Sequence, residues 1–97
     1  MNILKTETEN GLTVAVEGRL DTVTAPDLEK ALSEVPAGTA VTLDFAKLDY
    51  ISSAGLRVLL SAQKHLGGAD SFKIKNVCEL VMEVFDVTGF RDILTIE

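Results

Sequence analysis

Apolar residues recur with two different periods along the chain. A period of two marks residues 3–8, 12–17, 40–46 and 71–77. Leu12, Val14 and Val16 alternate with Thr13, Ala15 and Glu17; Val41, Leu43 and Phe45 share a face; Phe72 and Ile74 oppose Lys73 and Lys75. The first two of these strands flank an Asn10-Gly11 turn, a strong hairpin signal. Residues 93–96, ILTI, read as a last strand. Between the strands the period lengthens towards 3.6. One helix follows Thr24, which suits an N-cap. Pro26 fits the first turn, Asp27 the positive dipole end, and Leu28, Ala31, Leu32 and Val35 form the stripe before Pro36 and Gly38 end it. A second runs from about Ser53 to Leu66. Its Leu56, Leu59 and Leu60 are expected towards a sheet, and Gly67-Gly68 stops it. A third spans about 79–87, with Leu80, Val81, Val84 and Phe85 apolar, and closes at Gly89.

The order β-β-α-β-α-β-α-β predicts an α/β fold in which helices carry the chain between parallel strands. Strands covered on both faces read as unbroken apolar runs, whereas several here alternate. The expectation is a small open mixed/parallel β-sheet with helices mainly on one face. At 97 residues, residues 1–97 form one domain, and an apolar share of 46% suffices for its core.

Charge and rare residues then narrow the function. Fifteen acids against nine bases give a net charge of −6, spread along the chain, which disfavours nucleic acid and anionic membranes as partners. No apolar run approaches the ~20 residues that span a bilayer, and the start lacks a signal-peptide pattern, so a cytoplasmic protein without membrane insertion is expected. Cys78 has no second cysteine to bridge to, and with one histidine, His65, there is no zinc-type ligand set; no metal or cofactor is expected.

The chemistry concentrates in residues 49–60, DYISSAGLRVLL, where two serines stand between a strand and a helix. Three readings compete. Ser52 suits an N-cap, whose oxygen satisfies an otherwise unpaired amide; that accounts for one serine. A nucleophile needs a base within reach, yet His65 follows Ser53 by 12 residues on the same helix, about 18 Å away, and Ile51 occupies the first glycine position of a nucleophile elbow. A phosphoryl acceptor needs an exposed hydroxyl where a dianion is tolerated, which a helix N-terminus provides. Ser53, Arg57, Ser61 and Lys64 would then line the outward stripe, and Gly55 would let a partner approach closely.

Gly18-Arg19-Leu20-Asp21, Val41-Leu43-Phe45, Ser53-Ala54-Gly55-Leu56 and the tail FDVTGFRDIL (85–94), in this order, resemble the STAS domain family, specifically its stand-alone bacterial anti-sigma-factor antagonists. The resemblance covers essentially the whole chain. It implies an antagonist, not itself an enzyme, that binds an anti-sigma factor with serine-kinase activity when unphosphorylated. Serine phosphorylation releases it, and a serine phosphatase restores it. The family motif, Asp-Ser-(Ser, Thr or Ala)-Gly-Leu, places the acceptor at Ser53, with Ser52 the second choice. Ser52 stands where the family has aspartate, so the cap survives and a fixed negative charge is lost. The same resemblance places the loop Leu20-Asp21-Thr22 beside the helix end. The partner-binding residues would thus be Leu20, Asp21, Thr22, Ser52, Ser53, Gly55, Leu56 and Arg57. An alternative within the fold is a non-switching STAS subunit of a membrane-lipid transport ATPase complex. A small-molecule module on the open sheet face is a third, without a convergent polar set to support it. His65 is expected to face solvent, Cys78 to be a small buried or near-surface thiol, and the Phe85–Phe90 corner to be structural.

Overall fold

Alternation of buried and open side chains along the central strands decides how the layers are arranged. The computed structural model describes residues 1–68 and 70–97. The elements are β1 (Asn2–Thr8), β2 (Gly11–Leu20), α1 (Ala25–Ser33), β3 (Val41–Asp44), β4 (Leu48–Ile51), α2 (Ser53–Leu66), β5 (Phe72–Lys75), α3 (Glu79–Thr88), a 3-10 turn (Phe90–Asp92) and β6 (Thr95–Ile96). Val14, Val16, Val41, Leu43, Phe72 and Ile74 are buried, while Thr13, Ala15, Thr42, Asp44, Lys73 and Lys75 are half-buried or exposed. Helices therefore cover one face, as the alternation predicts. The covered face meets Leu28 and Leu32 of α1, Leu56, Leu59 and Leu66 of α2, and Val81 and Phe85 of α3 in a single core.

The sheet runs β1-β2-β3-β5-β6, with β4 pairing β2 off this path. The β1–β2 hairpin is antiparallel and the other pairings are parallel. Thr8 pairs with Gly11, so the turn is Glu9-Asn10, one residue earlier than expected.

Among the described residues six strands form, where the sequence pattern predicts five. The segment taken as strand 40–46 stops at Asp44, whose carboxylate accepts from the Ala46 amide (3.0 Å) and from Asn76 Nδ2 (3.0 Å). That turn restarts the chain as β4. The long β2 accommodates both strands: residues 12–15 pair β3, and Gly18, Arg19 and Leu20 pair β4 after a register shift at Gly18/Arg19. Gly18 sits at φ +104, a conformation that side chains disfavour, and this is where β2 bulges. Thus β4, invisible as a separate element, carries the chain to Ser52.

Two helix details differ from expectation. Thr24 occupies the N-cap position of α1 but makes no side-chain cap; its hydroxyl donates to the Arg19 carbonyl at 2.7 Å. Leu80, one of the apolar residues that mark α3, is 51% exposed because Val81 and Phe85 take the core-facing positions. The terminal strand is only Thr95–Ile96, since the 3-10 turn consumes the residues before it. No helix among the described residues is long and apolar enough to cross a membrane.

Candidate functional site

Parallel pairing of β2 with β4 brings two chain exits together. Leu20 pairs with Ile51, and the Ser52 amide donates to the Leu20 carbonyl at 2.9 Å. The loop that leaves β2 and the helix that follows β4 therefore emerge side by side. This is the adjacency that the family resemblance implies for residues 20–22.

Ser52 turns the chain from strand to helix. Its backbone is extended (φ −100, ψ 174), and its carbonyl accepts the first helical bond, from the Leu56 amide at 3.0 Å. Its hydroxyl accepts from the Gly55 amide at 3.4 Å, a long cap bond. Ser52 is thus engaged within the fold. Ser53, the first residue of α2, is exposed, and its hydroxyl makes no hydrogen bond among the described residues. The first turn of α2 contains no acid of its own to offset the positive end of its dipole. The two hydroxyls have separate conditions: one is used as a cap, the other is free and outward.

The neighbouring loop is held by Asp21. Its Oδ1 accepts from the amides of Val23 (3.0 Å) and Thr24 (3.1 Å) and from the Thr24 hydroxyl (3.2 Å). The Asp21 amide in turn donates to Thr24 Oγ1 at 2.9 Å. The Thr24 amide holds the Asp21 carboxyl below its ordinary range, helped by the Val23 amide, the Thr24 hydroxyl and the charge of Arg19, while desolvation opposes them. Arg19 itself lies over the Tyr50 ring, 4.2 Å from its centroid, tying β2 to β4 just before the two exits. Thr22 and Val23 project outward from this braced loop, Val23 with 83% of its surface exposed.

Not every residue expected at a partner surface is exposed. Thr22, Ser53 and Arg57 are exposed, and Asp21 and Ser52 are half-buried. Leu20 and Leu56 are buried, at 0% and 4% exposure; their side chains belong to the core and offer no partner a contact. Gly55 is buried too, and the reason for its small size is internal. A Cβ there would meet Leu20 Cγ at 2.8 Å and Ile51 Cγ1 at 2.9 Å. Glycine lets α2 begin directly against the end of β2 and β4. Val23 was not predicted at this surface, although an apolar residue between two threonines, outside both periodic patterns, was its visible signal.

The outward stripe on α2 is present: Ser53, Arg57, Ser61 and Lys64 are all exposed. Thr22, Pro26 and Glu29 face Ala54, Arg57 and Ser61 across a shallow groove of about 330 Å³ between α1 and α2. His65 is exposed at the opposite end of α2, where its Nε2 lies 2.7 Å from the Val35 carbonyl. Its ring is a tie between α2 and the end of α1. Cys78 is half-buried with Sγ 3.5 Å from the Leu48 carbonyl.

Comparison with known proteins places the chain in a family. The family model described as "Mlab, STAS domain" matches residues 3–95. The anti-sigma-B factor antagonist of Bacillus subtilis is 31% identical over 100 residues, covering 99% of this chain and 90% of the relative. The crystal structure of an anti-sigma factor antagonist from Mycobacterium paratuberculosis superposes with a TM-score of 0.87 at 25% identity, covering 98% of this chain and 83% of that one. The unphosphorylated form of the anti-sigma factor antagonist SpoIIAA superposes with a TM-score of 0.77 at 16% identity, over 99% and 88% of the two chains, and supports the fold. The chain belongs to the STAS domain family.

Proposed function

We propose that this chain is an anti-sigma factor antagonist whose docking is switched at Ser53. Unmodified, it binds an anti-sigma factor with serine-kinase activity through the outer side of the α2 start and the Thr22–Val23 loop. The partner transfers the γ-phosphoryl group of ATP to Ser53 Oγ: the Oγ–P bond forms, the bond to ADP breaks and the hydroxyl proton is lost. A phosphate carries about −1.5 to −2 of charge. Placed at the centre of the contact, it repels or displaces the partner, while the helix N-terminus tolerates it within the fold. A serine phosphatase then hydrolyses the ester, returning the hydroxyl and inorganic phosphate.

The carrying observation is the division of labour between the serines: Ser52 engaged as cap, Ser53 exposed and uncommitted beside a braced loop. The relatives are named anti-sigma factor antagonists, which favours this reading over the non-switching transport subunit. Incubation with the cognate kinase and ATP should add one phosphoryl group by intact mass, mapped to Ser53, and Ser53→Ala should abolish the gain. Modification at Ser52, or no gain from a kinase active on its own antagonist, would contradict the assignment.

A further inference from the structure

Of the three arginines, Arg19 stacks on Tyr50 and Arg91 pairs with Asp86 at 3.0 Å. Arg57 alone makes no hydrogen bond, ion pair or ring contact among the described residues. It is exposed on α2 exactly one i,i+4 step after Ser53. Long helical side chains lean towards the N-terminus, so the guanidinium can reach back over the turn that holds Ser53. An acid preceding a base at i,i+4 is the favourable order, and guanidinium forks match phosphate oxygens in pairs. No acid in the first turn of α2 competes for Arg57, and Glu29, across the groove, is not within ion-pair distance of it.

We infer that phosphorylation of Ser53 draws Arg57 into an ion pair with the new phosphate. Modification then has two effects on the docking surface: it adds negative charge at Ser53 and withdraws the free cation one turn away. The inference rests on Ser53 as acceptor, and its test is independent of any kinase.

Phosphoserine is installed at position 53 during synthesis, and its second ionisation is followed by phosphorus NMR in the wild-type, Arg57→Gln and Arg57→Lys backgrounds. The acids on neighbouring elements, Glu29 on α1, Asp21 in the loop and Asp49 on β4, are common to all three proteins. Their opposing influence therefore cancels in the comparison. The ion pair predicts that Arg57→Gln raises the phosphate pKa by about 0.3 unit. Arg57→Lys should fall between, and about 1 M salt should erase the difference. Equal titrations in wild type and Arg57→Gln would overturn the inference. If the pKa shift is found yet the kinase leaves Ser53 unmodified, the proposed switch fails while the pairing stands.

Discussion

Two adjacent serines with the same chemistry acquire different roles because one sits before the helix and the other within it. Ser52→Ala should therefore cost about 0.5–1 kcal/mol of stability in urea unfolding, the low end for a cap whose bond is long. Ser53→Ala should change stability by less than about 0.5 kcal/mol. Gly55→Ala offers a sharper contrast. Alanine gains about 1 kcal/mol of helix propensity, but its Cβ would collide with Leu20 and Ile51, and overpacking typically costs about 1–3 kcal/mol. The expected net is a loss of up to about 2 kcal/mol, read from the urea midpoint. The cap at Ser52 was legible because capping is local chemistry. The reason for Gly55 was not, since the side chains it makes room for arrive from β2 and β4. Thr24 misled for a related reason: its hydroxyl turns to the Arg19 carbonyl, and the Asp27 amide that it would have capped donates to the Thr24 carbonyl instead.

At the scale of elements, the long periodic segments were readable and the short ones were not. The stripes of α1 and α2 and the alternation of β2 and β3 announced themselves. β4 did not, because four residues after an aspartate-braced turn are too few to establish a period. Nor could the sequence say that Leu80 faces out, as helix α3 has apolar residues on more than one side. The braced β2–α1 loop carries its own prediction. The Asp21 carboxyl is held below 3.8 in the fold, so ionised Asp21 contributes stability above its unfolded pKa and loses it as pH falls through the lower, folded value. Wild type should accordingly exceed Asp21→Asn in melting temperature at pH 7. The two should converge as pH falls through the lowered folded value, and a gap independent of pH would contradict the bracing role of the charge. Leu20→Ala should cost about 2–5 kcal/mol as a core deletion, whereas Thr22→Ala, on the same loop, should leave stability nearly unchanged and weaken partner binding.

Over the whole molecule, a sheet covered on one face turns a short chain into a platform. Its buried layer fixes where β2 and β4 end, and those ends set the helix start and the loop next to one another. This arrangement was legible in outline from the alternation and the element order, and membership of the STAS family follows from similarity along nearly the full chain. The proposed partner surface was less legible. Leu20, Gly55 and Leu56 stood within the recognisable motif, yet burial makes them its support, while exposed Val23 lay outside it. What remains is a small outward patch centred on one hydroxyl, and the decisive quantity is the effect of charge there. The most direct measurement is calorimetric titration of the cognate anti-sigma factor with unmodified and Ser53-phosphorylated chain, with far-UV circular dichroism of both. A loss of affinity of at least about 100-fold, some 2.7 kcal/mol, with superimposable spectra is the predicted result. Equal affinities for the two forms, with the fold intact, would contradict the switch.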